Sequence, residues 1–586
     1  MQRRYIFFCL FILFIVHCPG FLVCSAQEGD IEFNLDIKSG TVPLSRVFRP
    51  GIDLSGRGFS RLSDWPKTLA VPEVLDSWQK DIGFNGIFRL SYNLWEINEL
   101  AKDKDLQNKL LANYEGVLQK ISAAGGIAIV SIFGTPAGQG KVLDKRSPPV
   151  DFRAFKKLVK KQIKNLSCDK RYNIWYEVWS APDLDDFFLG RKQEYLNLYR
   201  AVASAVQELE AETKVHIPLG GPGVSWWFQD FDGNTIITPE RSLIYELIKF
   251  CYNYHLPLDF ISWHAYSTDP KAERELTAYK KTATELIRAW LSYFRFDSGI
   301  PLIIDEWNYD SGANILPERG EKSNVAASFL LRRLRNMQEA GLDYQIYFSL
   351  EDFQNNKEGV TSNSGAFWFD PEASEYKGGH KSIYNALRML SSLGGNMFVT
   401  PKPESEFVGI IATKDKDDIV ILAHNYIDPQ IAVNYLSRNI AGLNNAERRI
   451  ILNLVKSGEI EKIMRQETDI SRIRGGSKLK TLLKKARELN EQAKKFLDAP
   501  RNIKVNLKNL KDNYSYQRYA IDSSCSLNCK FTPVEEKEIS AADLYQETLV
   551  LSPYSAQLLI LKKKPKEAEV VTPLPAEQPA QETTAK

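Results

Sequence analysis

Histidine and cysteine, which build most metal sites and disulfide frameworks, are scarce in this sequence. It has 6 histidines and 7 cysteines in 586 residues, and neither a His-rich segment nor a further cysteine pair accompanies the close pair Cys525 and Cys529. A zinc site is therefore disfavoured, and we expect no metal and no cofactor. Residues 1–26 hold three of the cysteines, which leaves Cys168, Cys251 and the close pair. The close pair is the best candidate for a disulfide in an exported protein.

The sequence also lacks a strong excess of one charge and, beyond the N-terminus, long apolar runs. The formal net charge of +3 is small for a chain of 586 residues, so nucleic acid is not an expected partner. At the N-terminus two arginines precede an apolar run over 5–16, and small residues follow at 24–26. This pattern predicts a signal peptide over 1–26, no stable membrane span after its removal, and a secreted or periplasmic location. A membrane anchor is the alternative, disfavoured because His17 and Pro19 break the short run.

A glycine-rich phosphate loop is missing after the first predicted strand, which disfavours a doubly wound open sheet. Instead, hydrophobic runs of strand length alternate with segments of helical periodicity over residues 47–395. Eight strands with helices between them are the count of a (β/α)8 TIM barrel, so we predict this α/β fold. The predicted strands cover residues 48–56, 86–92, 126–134, 173–179, 214–221, 260–266, 301–307 and 344–350.

A β-sandwich is predicted after the barrel, over residues 396–564. Alternating runs divided by turn residues, such as 418–425, are typical of antiparallel sheets. Charged, helix-forming sequence at about 443–499 interrupts them and predicts a helical insertion of two solvated helices; a membrane surface or a partner is the alternative contact for its amphipathic faces. Residues 27–46 are predicted to form an N-terminal strand segment. Residues 565–586, rich in Pro, Glu, Ala and Thr, are predicted to be a disordered tail.

Two of the predicted barrel strands end in residues that could carry chemistry. Residues 172–179 form an aromatic and β-branched run that stops just before Pro182, and residues 301–307 form a hydrophobic run that contains Glu306. The C-terminal ends of barrel strands share the face on which active sites are built. Glycoside hydrolysis needs two carboxylates on such a face. Glu306 supplies one, whereas the first run offers Ser180 and Ala181 where the second is expected.

A family resemblance follows from five segments. The sequence over 175–184, 220–222, 259–266, 304–308 and, in the sandwich, 516–522 resembles glycoside hydrolase family 39, the group of β-xylosidases and α-L-iduronidases. The resemblance covers most of residues 47–395 and, more weakly, the sandwich. The helical insertion has no counterpart in it.

The resemblance implies roles for the two strand ends. In the family, the fourth barrel strand ends in Asn-Glu-Pro, whose Glu is the general acid/base, and the seventh ends in the Glu nucleophile. Glu306 therefore corresponds to the nucleophile of a retaining reaction. Ala181 occupies the acid/base position, and Ser180 replaces the Asn that contacts a sugar hydroxyl. Because alanine cannot donate a proton, the acid/base position is degenerate. Three interpretations follow: Asp183 or Asp185 just beyond it is a substitute acid, the substrate assists its own cleavage, or the protein binds glycans without turnover.

Further residues near the strand ends are candidate substrate contacts. His264 resembles the family's sugar-contacting His, and Asn308 follows the nucleophile strand. Arg89 could orient a sugar or the nucleophile, with a structural ion pair as the alternative. Glu177 lies deeper in the barrel and is expected to be a structural or substrate-orienting acid. Since sugars stack on aromatic rings, three tryptophans are predicted to form cleft walls, with core packing as the alternative: Trp179, Trp263 and Trp307.

Three functions are compatible with these residues. The first is an exported glycoside hydrolase that acts on O-glycosyl bonds of an oligosaccharide or polysaccharide, with Glu306 as nucleophile. The second is a catalytically impaired carbohydrate-binding relative, which Ser180 and Ala181 favour. The third is a helper in polysaccharide export whose 443–499 insertion contacts a partner. In each case the expected ligand is a carbohydrate, and the sugar remains open.

Overall fold

The computed structural model describes residues 31–54, 72–227, 239–277, 279–309, 323–355, 360–362, 365–370, 377–399 and 407–565. The predicted signal peptide at 1–26 and residues 566–586 of the predicted tail lie outside these ranges. Among the described helices, none combines the length and the hydropathy that a membrane crossing requires.

Eight parallel strands close into a barrel, which confirms the predicted fold class. Two short strands precede it, β1 (Ile31–Asp36) and β2 (Thr41–Pro43). The barrel strands follow one another in chain order, and the last pairs with the first. They are β3 (Gly51–Asp53), β4 (Ile87–Asn93), β5 (Ile127–Phe133), β6 (Ile174–Val178), β7 (Leu219–Val224), β8 (Phe260–Tyr266), β9 (Leu302–Asn308) and β10 (Tyr344–Tyr347).

The barrel strands form where buried residues run without interruption, because helices cover the outside and side chains fill the inside. Every residue of β4, β7 and β9 is buried. The predicted position of one strand was wrong: residues 214–218 are not in β7. His216 and the backbone N–H of Ile217 bind the Glu210 side chain at 2.8 Å each, so this stretch is held by a helix rather than by a neighbouring strand.

Helices surround the barrel and begin at polar caps. Asp103, Asp151, Ser242 and Thr282 each accept a backbone N–H of the first helical turn. The Thr282 cap fixes the start of the helix that follows it at Ala283. The helices are α1 (Pro72–Asp81), α2 (Leu94–Glu99), α3 (Lys104–Ala123), α4 (Phe152–Ile163), α5 (Lys192–Thr213), α6 (Leu243–Tyr254), α7 (Ala283–Tyr293), α8 (Ser323–Glu339) and α9 (Ser382–Ser391).

Two sheets form the second part of the fold. One has seven strands in the order β2-β15-β16-β17-β22-β19-β20 and the other has the order β1-β18-β21. Side chains of both sheets share one hydrophobic cluster that includes Phe33, Ile421 and Leu549. The remaining strands are β11 (Phe353–Asn355), β12 (Val360–Ser362), β13 (Phe367–Phe369), β14 (Gly378–His380), β15 (Asn396–Phe398), β16 (Val408–Asp415), β17 (Asp418–Asn425), β18 (Arg501–Leu510), β19 (Tyr514–Ile521), β20 (Glu535–Ile539), β21 (Ala542–Leu551) and β22 (Ala556–Lys563).

The helical insertion lies between β17 and β18 and is larger than predicted. It starts at Ile431 rather than near 443, and four α-helices replace the two expected: α10 (Ile431–Asn439), α11 (Asn445–Lys456), α12 (Glu459–Met464) and α13 (Ser477–Asp498). The short α10 and α12 lack the length at which an amphipathic period is visible in sequence. The insertion has its own cluster around Leu436, Ile463 and Leu483. It is also not purely solvated, because Arg438 pairs with acids of the barrel.

The predicted disulfide is present between Cys525 and Cys529, with an S–S distance of 2.14 Å. Cys168 and Cys251 are buried free thiols. The disulfide-closed turn lies on the barrel, where Ser382 and Asn385 of α9 donate to the carbonyl oxygens of Cys525 and Cys529. The turn therefore joins the sandwich to the last barrel helix.

Candidate active site

Arg89 is the centre of a buried charged cluster inside the barrel. Its Nη1 donates to Glu306 Oε2 at 2.9 Å and to Asp53 Oδ2 at 3.3 Å, and its Nη2 donates to Glu177 Oε2 at 2.9 Å. Asp305 Oδ2 lies 3.4 Å from Nε. The arginine is 1% exposed, so one buried cation faces four acids. Arg89 therefore makes the contacts that both of its predicted roles require, a structural ion pair and orientation of the predicted nucleophile.

Glu177 is the acid most firmly held as a carboxylate. Besides Arg89, the hydroxyls of Ser131 and Ser262 donate to it, at 2.5 and 2.6 Å. Burial opposes ionisation, but Arg89 and these hydroxyls lower the pKa of Glu177 to about 2. Its side chain is fully buried. Glu177 therefore forms a buried ion pair with Arg89.

Glu306 lies at the open end of the cluster. Its side chain is 11% exposed, whereas those of Asp53, Glu177 and Asp305 are 0% exposed. Tyr266 donates from its hydroxyl to Oε1 at 2.5 Å, while Arg89 binds Oε2. Burial raises the pKa of Glu306, and the bonds from Arg89 and Tyr266 partly offset that rise. A carboxylate fixed through both oxygens and partly exposed to solvent is suited to attack on a bound electrophile.

Asp305 and His264 complete the surroundings of Glu306. Burial and the charge of Glu177 raise the pKa of Asp305 well above its usual range. His264 Nε2 lies 3.6 Å from Glu306 Oε2. Burial and the nearby Arg89 lower the pKa of His264 to about 3, so the imidazole is neutral. A neutral ring beside Glu306 can donate or accept a hydrogen bond without adding charge.

The end of β6 brings Ser180 to the same guanidinium. Arg89 Nη2 donates to Ser180 Oγ at 2.6 Å, and Ser180 is fully buried. The neighbouring Ala181 is 1% exposed and has a φ of 41°, in the left-handed region. Its N–H donates to the Gly223 carbonyl at 2.7 Å. The predicted nucleophile and the predicted acid/base position are thus connected through Arg89 and Ser180.

Asp183 is held away from this network by its own contacts. Its carboxylate accepts the Ser225 N–H at 2.9 Å and the Ser225 hydroxyl. Burial raises the pKa of Asp183, which by itself would suit a general acid. Geometry decides against it, because both oxygens bind Ser225 rather than a group of the Arg89 cluster. Asp185 is exposed.

The structure corrects the prediction that three tryptophans form cleft walls, because all three pack in the core. Trp179 is 0% exposed, packs on Phe133 and Phe188, and donates to the Phe187 carbonyl. Trp307 is also 0% exposed, and its indole N–H donates to Gln345 Oε1 at 2.7 Å. Trp263 is 2% exposed. Their rings belong to the main hydrophobic core, so no face is open to a sugar.

Asn308 has a local structural role in addition to its place on β9. Its side-chain amide donates to the Phe348 carbonyl, and its Oδ1 accepts the Tyr309 N–H at 2.6 Å. These bonds tie the end of β9 to the end of β10.

Sequence reasoning missed several members of the cluster. Tyr266, Asp53, Asp305, Ser131 and Ser262 were not singled out, although each lies within or next to a predicted strand. In barrels the inward-facing residues of adjacent strands meet in layers. Polar residues at inward-facing positions, opposite Arg89 and Glu177, could therefore have indicated the cluster in the sequence.

The described residues contain no group of three or more His, Cys, Asp or Glu side chains arranged as a metal site. The chemistry that this cluster offers is that of a carboxylate positioned by Arg89 and Tyr266. Glu306 can act as nucleophile or counter-ion to a developing positive charge.

A family model described as "Glycosyl hydrolases family 39" matches residues 133–459, more than half of the chain. Curated β-xylosidases from Caldicellulosiruptor saccharolyticus and Geobacillus stearothermophilus are each 24% identical, over 296 and 294 residues. These matches cover 48% and 45% of this chain and 55% and 52% of the relatives. The chain thus spans about half the length of the curated relatives it matches.

Solved structures share the fold over nearly the whole chain. A glucosidase from Croceicoccus marinus has a TM-score of 0.61 at 14% identity, covering 92% of this chain and 99% of that chain. A GH39 enzyme from Xanthomonas axonopodis pv. citri gives 0.60 at 14%, covering 93% and 100%. A monomeric β-xylosidase from Caulobacter crescentus gives 0.57 at 15%, covering 91% and 99%. At these identities the likeness shows a shared fold.

Proposed function

This chain belongs to glycosyl hydrolase family 39, and from that membership we propose that it is an exported retaining glycosidase acting on O-glycosyl bonds of an oligosaccharide or polysaccharide. The observation that carries the proposal is Glu306. It is the partly exposed acid of the Arg89 cluster, and both its oxygens are bound, by Arg89 and by Tyr266. Since the curated relatives are β-xylosidases, β-xylosides are the first substrates to test.

In the first step, a Glu306 oxygen attacks the anomeric carbon of the sugar. A carbon–oxygen bond forms to Glu306, and the glycosidic bond breaks with its electron pair on the departing oxygen. Ala181 offers a methyl group where a proton donor is expected. The departing oxygen must then leave as a stable anion or take its proton from water.

In the second step, water attacks the same carbon and releases Glu306. The water has to lose a proton, and a carboxylate at position 181 would take it. General acid/base catalysis contributes about 10²–10⁴-fold to such steps. The proposed enzyme is therefore slow on natural leaving groups and faster on activated ones.

The test uses nitrophenyl glycosides of common sugars, whose leaving group needs no proton. The wild type should cleave one of them, and azide should accelerate turnover and emerge as a glycosyl azide. Glu306→Gln should abolish both activities. These measurements need no folded variant at position 181.

A gain-of-function variant sharpens the test. Ala181→Glu combined with Ser180→Asn should raise activity on poor leaving groups by about 10²–10⁴-fold. The matched control is Ala181→Gln with Ser180→Asn, which has the same shape but no acid. A rise in the control as large as that in the Glu variant would contradict the assigned role of position 181.

A carbohydrate-binding protein without turnover is the second candidate, favoured by Ala181 and Ser180. It predicts that wild type and double variant are inert towards all activated glycosides, with or without azide. Under this alternative, affinity electrophoresis in gels containing xylan or another polysaccharide should still retard the wild type.

A further inference from the structure

We infer that Asn434 and Arg438 of the insertion are positioning residues for Glu306: they hold the loop after β8 and thereby keep the Tyr266 hydroxyl on the nucleophile. The inference deepens the proposed function and rests on the nucleophile role of Glu306. It assigns the insertion a task at the barrel mouth.

The contacts come from one short helix. On α10, Asn434 Nδ2 donates to Thr268 Oγ1 at 2.7 Å, and Arg438 forms ion pairs with Asp269 and Glu275. Asp269 is 6% exposed, so its charge is mostly withdrawn from water. Removing the partner of such a group costs more than removing that of a surface pair.

The loop residues bound by Asn434 and Arg438 are close in sequence to Tyr266. Tyr266 is the last residue of β8, and Thr268 and Asp269 follow two and three positions later. Pairing with β9 fixes the backbone up to Tyr266, opposite Asn308. Beyond that point the chain leaves the sheet, and α10 binds it within a few residues.

The barrel holds the same loop from another side. Arg333 of α8 donates to the carbonyls of Ser267 and Asn308, at 3.0 and 3.1 Å, and pairs with Glu273. The loop is thus clamped between two arginines, one from the barrel and one from the insertion. Loss of Arg438 would leave the Arg333 clamp in place, so the loop should loosen without the barrel unfolding.

The first readout is independent of glycosidase turnover. Water-soluble carbodiimide labels Glu306 in its protonated form, and peptide mapping across a pH series gives the midpoint of labelling. The other titratable groups around Glu306 stay unchanged in the variant: Arg89, Asp53, Asp305, Glu177 and His264. Asn434→Ala with Arg438→Ala should raise the midpoint, as should Tyr266→Phe, and the two changes should not add when combined.

The second readout is the rate on an activated glycoside. The double variant should lose roughly tenfold in kcat/KM on the acid side of its pH profile, the effect of weakening a hydrogen bond to a charged group. Arg438→Lys should recover part of the loss. Arg465→Ala is the matched control, because Arg465 pairs with Glu461 and Glu467 within the insertion.

An unchanged labelling midpoint in the folded double variant would overturn the inference, as would effects that add fully to those of Tyr266→Phe. If the double variant does not fold, the single variant Asn434→Ala is measured by the same criteria. If the wild type cleaves no activated glycoside, the proposed function fails, yet the labelling midpoint still decides whether the insertion positions Tyr266.

Discussion

Arg89 donates a 2.6 Å hydrogen bond from Nη2 to the hydroxyl of Ser180. The same guanidinium binds Glu306 through Nη1, so Arg89 connects the strand end that lacks a carboxylate to the proposed nucleophile. The position beside Ala181 has therefore kept a polar contact with the site. This is why replacement of residues 180 and 181 together is a reasonable route to restored chemistry.

Replacing Tyr266 by phenylalanine should shift the pH dependence of activity. The hydroxyl lowers the pKa of Glu306, so its removal raises that pKa. Since Glu306 must be ionised to act as the proposed nucleophile, the acid limb of kcat/KM should move to higher pH, with a smaller change above it. Tyr199→Phe is the control, because its hydroxyl binds Pro257 instead. An unshifted acid limb would contradict the assigned contact.

Replacing Arg89 by methionine should destabilise the protein by about 3–5 kcal/mol, the cost of breaking a buried ion pair on one side. The acids around it, Glu177 above all, would lose their buried cation. Chemical denaturation at pH 7 measures the change. Arg146→Met, which removes a partly exposed pair with Asp144, should cost no more than about 1 kcal/mol. Equal costs for the two variants would refute a central role for Arg89.

Replacing each of two buried glutamates by glutamine should change the free energy of unfolding in opposite directions. Glu306 has a raised pKa, so its ionisation opposes folding above that pKa, and Glu306→Gln should increase the free energy of unfolding at neutral pH. Glu177 has its pKa lowered from 4.5 to about 2. It stabilises above pH 4.5 and loses that effect as pH falls towards 2, so Glu177→Gln should destabilise at pH 7. Denaturation curves at several pH values give both signs.

Asp183→Asn should leave the preference for leaving groups unchanged. Asp183 binds Ser225 through both oxygens, and the amide keeps one acceptor for it. The expected cost is about 1 kcal/mol of stability. Rates on a nitrophenyl glycoside and on a poor leaving group should fall by the same factor. A selective loss on the poor leaving group would instead identify Asp183 as the substitute acid.

Much of the barrel was predictable because its strands are buried on both faces. The run over 260–266 agrees with β8, and 126–134 contains β5. The β7 position failed where the side chain of Glu210 captures residues 216 and 217. A side-chain contact of this kind produces no hydrophobic periodicity in the sequence, so it could not be predicted from it.

Site residues could be predicted only where the sequence of a single strand end indicates them. Glu306 and Arg89 could be named from their strands. Tyr266 could not, since its hydroxyl reaches Glu306 across 40 positions of sequence. Trp307 was predicted to face a sugar, but Gln345 and Phe329 enclose it. Whether an aromatic side chain at a strand end lies in the core or lines the cleft depends on which residues of the following helix and strand pack against it.

The pairing of β1 with β18 has a consequence for biosynthesis. Asn506 of β18 donates to Asn34 of β1 across 472 positions, and Phe33 and Leu35 are buried in the shared cluster. At roughly 5–20 residues per second, the ribosome delivers the partner of β1 about half a minute to a minute and a half after β1 itself. Throughout that interval the first strand carries apolar side chains and an unpaired edge. Until β18 has been synthesised, β1 therefore lacks both the strand it pairs with and the cluster in which Phe33 and Leu35 are buried.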